Sequence, residues 1–146
     1  MITVADLMTR DLVTVRETDD LALAESLLRL GGIRHLPVIR DRRLVGLLTH
    51  RDVLRSGVSG RAGARDLAVG DLMSRELVSV RPGSGLASAA RLMLERKFGC
   101  LPVCEEDGTL VGILTDADFV RFAADVVHDL DLVAEVVHPP EEREHA

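Results

Sequence analysis

Trp and Tyr are absent from this 146-residue chain, and its three Phe (Phe98, Phe119 and Phe122) all lie in the second half. With so few rings the core has to be aliphatic, which suits a mixed helix and sheet interior. The same scarcity argues against single-stranded nucleic acid, which is gripped by aromatic stacking platforms. Basic residues are scattered and the net charge is −6, so duplex phosphate is also an unsuitable partner. No apolar run approaches the ~18 residues of a membrane span. The residues after Met1 lack the charged-then-apolar layout of a secretory signal, so a cytoplasmic location is expected. Only two Cys occur, Cys100 and Cys104 in CLPVC. On a strand they would face one side roughly 13 Å apart, too far for a disulfide. No further Cys or clustered His accompanies them, so buried free thiols are expected and a metal is not. Catalytic signatures are missing as well: there is no GxSxG, HExxH, P-loop or dinucleotide fingerprint. An enzyme is not expected.

What the chain does have is an internal copy of itself. Residues 4–16 read VADLMTRDLVTVR and residues 69–81 read VGDLMSRELVSVR. HLPVI (35–39) matches CLPVC (100–104) at the same offset, and LVGLLTHRDVLR (44–55) matches LVGILTDADFVR (110–121) after one inserted residue. The organisation expected is repeat 1 over 1–55, a Gly- and Ser-rich linker over 56–68 and repeat 2 over 69–121. A helical extension over 122–138 and a disordered tail over 139–146 would follow, with Pro139-Pro140 ending the helix.

Within each copy the periodicity changes in a fixed order. VTV and VSV read as short strands. LALAESLLRL (21–30) is spaced as a helix, with Thr18 or Asp19 as N-cap and Gly31 as stop. LASAARLMLERK (86–97) is its counterpart. LPVIR and LVGLLT are two strands joined by a charged turn at Asp41-Arg42-Arg43, and in the second copy Asp107-Gly108 favours a tight hairpin. A second helix begins at HRDVLR. The unit is β-α-β-β-α, an α/β (α+β) fold class. One unit is too small to cover both faces of its sheet, so the copies are expected as a pair packed through their sheets.

The ordered set DLM, VxV, helix, LPV and LVGhhT-x-x-D, present twice, resembles the tandem cystathionine-β-synthase (CBS) pair, or Bateman module. The resemblance covers residues 4 to about 121. It implies a pseudo-two-fold pair with two clefts between the repeats. It also implies a regulatory role in which an adenosine-containing ligand (AMP, ADP, ATP or S-adenosylmethionine) binds in one or both clefts. No obligatory cofactor is implied. A structural or dimerisation module with empty clefts remains the alternative.

In each copy a strand ends at Thr49 or Thr115 and a helix starts directly after it. Unpaired N–H groups and the positive dipole end favour an anion there. A carboxylate three residues on, Asp52 or Asp118, can accept two bonds from one diol. The resemblance assigns phosphate to Thr49 and Thr115, and ribose to Asp52 and Asp118. Thr-x-x-Asp is equally a helix capping box, and the two roles are compatible. The copies differ around this motif. Arg34-His35 and His50-Arg51 in the first stand where Gly99-Cys100 and Asp116-Ala117 stand in the second, with Lys97 the second copy's nearest substitute. Arg34, Arg51 and a protonated His35 would therefore give the first cleft a preference for phosphate. For the base, the resemblance points to backbone groups of the first strand. Val13, Thr14, Val15 and Ile33 are the candidates in copy one, and Val78, Ser79, Val80 and Phe98 in copy two.

The helix after Thr115 carries apolar residues at Phe122, Val126, Leu130, Val133 and Val137, a stripe that would cover its own module or a second chain. A homodimer is expected, because Val53, Leu54, Phe119 and Val120 face outward. The other partners expected are an adenine nucleotide and a protein of unspecified identity.

Overall fold

A computed structural model of the chain describes residues 1–57 and 66–137. Most of the expected linker and the expected tail beyond Val137, with Pro139-Pro140, lie outside the described residues. The chain opens with a one-turn helix α1 (Val4–Leu7), then α2 (Leu21–Leu30), β1 (His35–Arg40), β2 (Arg43–Thr49) and α3 (His50–Ser56). The second copy follows the same order: α4 (Val69–Leu72), α5 (Leu86–Arg96), β3 (Cys100–Cys104), β4 (Leu110–Thr115) and a long α6 (Asp116–Val137). The mixed fold class is as expected. The boundaries of α2 are those of the amphipathic run, although its N-cap is Asp20.

β1 pairs antiparallel with β2, and β3 with β4, each as its own two-stranded sheet. The turns joining them differ. Asp41 and Arg42 both adopt positive φ (51° and 69°), the left-handed pair that a two-residue hairpin demands. In the second copy Gly108 takes that role (φ 89°), and Asp107 accepts the N–H of Thr109 at 2.9 Å.

The VTV and VSV segments are not full strands. Each shrinks to one parallel bridge, Val15 with Val38 and Val80 with Val103. Val15 donates to the Pro37 carbonyl at 3.1 Å and accepts from Ile39 at 2.9 Å. The next rung of a parallel ladder would need an N–H from residue 37 to reach the Val13 carbonyl, and proline has none. Pro102 stops the second copy in the same way. The LPV signature thus ends the ladder after one rung.

Each copy lends its first ten residues or so to the other. The first core holds Val15, Leu21, Leu36, Val38, Leu48 and Val53 together with Val69 and Met73 from the second copy. The second holds Leu86, Met93, Leu101, Val103 and Leu114 together with Val4 and Met8 from the first. Backbone bonds fix the exchange: Val4 donates to Ser84 and Leu86 to Ile2, while Val69 donates to Asp19 and Leu21 to Leu67. The motif glycines follow from it. A Cβ on Gly112 would lie 2.6 Å from Met8 Sδ and 3.2 Å from the Thr9 carbonyl, and one on Gly46 would collide with Met73. The Met of DLM therefore seats on the Gly of LVG in the opposite repeat.

The two hairpins also meet at their tips, where Leu44 donates to Gly108 and Leu110 to Arg42. This is the expected pairing of the copies through their sheets. Cys100 and Cys104 are free and buried, and burial pushes the Cys100 thiol up to about 12. Among the described residues, no helix is long and apolar enough to cross a membrane.

Candidate functional site

The site grows from the strand-to-helix junctions. Thr49 N–H donates to Asp52 Oδ2 at 2.9 Å, and Asp52 N–H returns to Thr49 Oγ1 at 3.2 Å. Thr115 and Asp118 repeat the reciprocal pair at 2.8 and 3.3 Å. Both motifs are thus capping boxes that satisfy helix N–H groups. The first N–H of each helix is held as well, His50 by the Arg34 carbonyl and Asp116 by the Gly99 carbonyl, both at 3.1 Å. These bonds tie each junction to the segment that leads into its own first hairpin strand.

Because the lead-ins are exchanged, a cleft combines both copies. Thr9 pairs with Ile113 of β4, and the segment Asp11–Val13 then runs beside the Thr115 junction. The resulting cavity is about 750 Å³. Its first-copy wall is Thr9, Asp11, Leu12, Val13, Gly32, Ile33, Arg34, His35 and Pro37, and its second-copy wall is Ile113, Thr115, Asp116, Ala117, Val120 and Arg121. Of the residues singled out from sequence, the structure brings together Val13, Ile33, Arg34, His35 and Thr115. Asp118 stands just behind, bonded to three wall residues: Thr115, Thr9 Oγ1 at 3.0 Å and the Arg121 guanidinium at 2.5 Å. Thr49, Arg51 and Asp52 lie instead at the start of α3 and do not line this cavity. Val15 is core, and Val78 and Val80 pack on the second core. By the same exchange Ser74 pairs with Leu47, which sets Val78 on the side of the Thr49 junction.

Two chemical details matter. The Val13 carbonyl, left without its rung by Pro37, accepts no hydrogen bond among the described residues. Val13 itself is 42% exposed and lines the cavity. His35 is half-buried, with its ring against Gly99; a Cβ there would lie 3.2 Å from Nε2. Burial holds the imidazole below its ordinary 6.5, against the pull of Asp116, with Arg34 lowering it further and Asp52 raising it. The protonated His35 expected from sequence is therefore disfavoured by desolvation, although a neutral imidazole still donates one N–H.

Thr9, Asp116, Pro37 and Arg121 were not singled out from sequence. Thr9 and Ser74 are the Thr/Ser exchange within the lead-in repeat, and Arg121 matches Arg55, so a signal existed for two of them. A second cavity of about 600 Å³ lies by the β1–β2 turn, where Glu17 pairs with Arg40 and Arg75. It contains none of the expected ligand residues. Among the described residues no group of His, Cys, Asp and Glu is arranged to hold a metal.

Comparison with known proteins adds to this geometry. The CBS domain family profile matches residues 4–59 and 69–125. YhcV of Bacillus subtilis, a CBS domain-containing protein, is 35% identical over 119 residues, which is 81% of this chain and 83% of that one. The crystal structure of CBSX2 of Arabidopsis thaliana in complex with AMP superposes with a TM-score of 0.74 at 37% identity, covering 86% of this chain and 98% of that one. An inosine-5'-monophosphate dehydrogenase of Korarchaeum cryptofilum is 38% identical over 109 residues, 75% of this chain but only 22% of that enzyme.

Proposed function

The chain belongs to the CBS domain family as a tandem pair, and we propose that it is a regulatory module whose cleft between Val13 and Thr115 senses an adenosine phosphate. The observation that carries this reading is the composition of the cavity, which offers each part of such a ligand a matching surface. Its volume is that of a small-molecule site. Ile33, Pro37 and Ile113 supply apolar walls for a purine. The Val13 carbonyl is an acceptor for an exocyclic amino group, which adenine has and hypoxanthine lacks at that position. Asp118, held behind the wall by Thr115, Thr9 and Arg121, would reach a ribose by exchanging its bond to Thr9 or Arg121 for the sugar hydroxyls. Arg34, Arg121 and the His35 N–H supply donors for phosphate at the start of α6. CBSX2, with AMP bound, is a relative with this pairing of repeats.

The proposed mechanism is a bridge. A ligand held by both walls ties the first copy's Val13–His35 wall to the second copy's α6, and stabilises the packed pair by mass action. At about 100 times its dissociation constant it adds about 2.7 kcal/mol. A homodimer and a protein partner that reads this change complete the proposal, with Leu54 and Val120 exposed on α3 and α6 as surface for a second copy, whereas Val53 and Phe119, expected to face outward, pack instead on the first and second cores. Cytoplasmic residence is part of the same reading.

A second reading is favoured by one observation: every bond of Asp118 is already satisfied by Thr115, Thr9 and Arg121. A structural pair with unused clefts would look the same. Thermal-shift measurements with adenosine, AMP, ADP, ATP and S-adenosylmethionine separate the two. A shift for AMP that vanishes in the Asp118→Asn variant supports sensing, and no shift for any of the five supports the structural pair.

A further inference from the structure

The last fifteen residues of α6 leave the body of the molecule. Phe119 and Phe122 still pack on the second core, but every residue from Ala123 to Val137 is exposed. A free helix of this length is marginal in water. This one also has Glu135 and no basic residue in its last turn, which opposes the helix dipole. Yet its surface is rich in large aliphatics, with Leu130 63% and Val136 83% exposed. Something has to cover it.

The spacing identifies the cover. Ala123, Val126, Leu130, Val133 and Val137 follow one another at intervals of three and four, the a and d positions of a heptad seam that begins where the core-packed Phe119 and Phe122 end. The carboxylates of Asp125, Asp131 and Glu135 all lie off this seam, and Asp129 only flanks it. We propose that this seam is a short parallel coiled coil formed with a second copy of the chain. Two identical neutral seams satisfy each other under two-fold symmetry without bringing a charge inside. The charges also select the direction. In a parallel pair Asp129 at position g faces the copy's Ala134 at position e, whereas full antiparallel overlap sets Asp129 beside its own copy. A lipid surface suits the helix poorly, because beyond Arg121 its polar side carries Asp125, Asp129, Asp131 and Glu135 and no Lys or Arg, so anionic headgroups repel it. Exposed Val120, one turn before Ala124, continues the apolar surface back to the body.

The inference does not depend on the ligand reading. The test uses the full chain, by sedimentation equilibrium and by oxidative crosslinking. The unmodified chain should dimerise at micromolar concentration. Leu130→Asp should weaken that dimer roughly 100-fold, while Asp131→Asn, off the seam, should leave it unchanged. Leu130→Cys should oxidise to a covalent dimer, since parallel a positions meet within disulfide range, and His128→Cys on the outer face should not. Cys100 and Cys104 are buried and do not compete. An unmodified chain that stays monomeric, a Leu130→Asp dimer of unchanged strength, or equal crosslinking at 128 and 130 would each overturn the proposal.

Discussion

Asp52 and Asp118 stand at equivalent places in the two repeats and close equivalent capping boxes, yet their surroundings differ. Asp118 is 3% exposed and also bonded to Thr9 and Arg121. Asp52 is half-buried and has no further side-chain partner among the described residues. The difference comes from what each repeat lends the other. The first copy brings Thr9 to Asp118 and brings Arg34 and His35 to the same cleft. The second offers Ser74, Gly99 and Cys100 at the matching positions. The lesson is that in an exchanged pair a cleft's character cannot be assigned repeat by repeat. Arg34 and His35 of copy one line the cavity behind which Asp118 of copy two is paired with Arg121.

Several substitutions press on this comparison. The largest effect is expected where the exchange is tightest. Gly112→Leu has to displace Met8 and also meets the Thr9 backbone, which cannot yield, so it should cost about 3 kcal/mol in chemical denaturation. Gly46→Leu meets only the Met73 side chain and should cost about 1–2 kcal/mol. Equal losses would mean that the two exchanges are packed alike. Next, Asp118→Ala removes a cap and two further bonds and should cost about 2 kcal/mol, against about 1 kcal/mol for Asp52→Ala. The reverse order would place the stronger network at α3.

A smaller effect concerns the base. If the Val13 carbonyl reads the exocyclic amino group, IMP should bind roughly tenfold more weakly than AMP, the worth of one lost hydrogen bond. Equal calorimetric affinities would remove that carbonyl from the site. The smallest effect is expected from pH. His35 has a lowered folded-state affinity for protons, so the unfolded chain binds more protons below about 6.5. Stability should therefore fall as pH drops below that value and stay flat above it, and His35→Gln should flatten the profile. A bound phosphate would favour the proton on His35, so AMP affinity should rise over the same acid window. A profile unchanged by His35→Gln would show that His35 is not the group responsible.

Much of this was legible in the sequence, for physical reasons. The 3.6-residue spacing of 21–30 and the breaks at Gly31 and Asp41 fixed local elements, because those signals act over a few residues. The duplicated LVGhhT-x-x-D motif located both junctions. Two things were not legible. VTV looks like a strand, and only its pairing beside Pro37 of β1 shows that its ladder stops after one rung. Likewise the equality of the two lead-ins conceals their exchange, since Val4 and Val69 are interchangeable as sequence. The grouping of Arg34 with Thr115 depends on that exchange.

The most direct measurement is calorimetric titration of AMP into the unmodified chain, Arg34→Ala, Asp118→Asn and Asp52→Asn. The proposed cleft predicts that Arg34→Ala and Asp118→Asn each weaken AMP roughly tenfold or more, because Arg34 lines the cavity and Asp118 fixes Thr9, Thr115 and Arg121 of its wall. Asp52→Asn should leave that binding event within about twofold. Loss of AMP binding in Asp52→Asn, with Asp118→Asn unaffected, would contradict the account and move the site to the α3 junction.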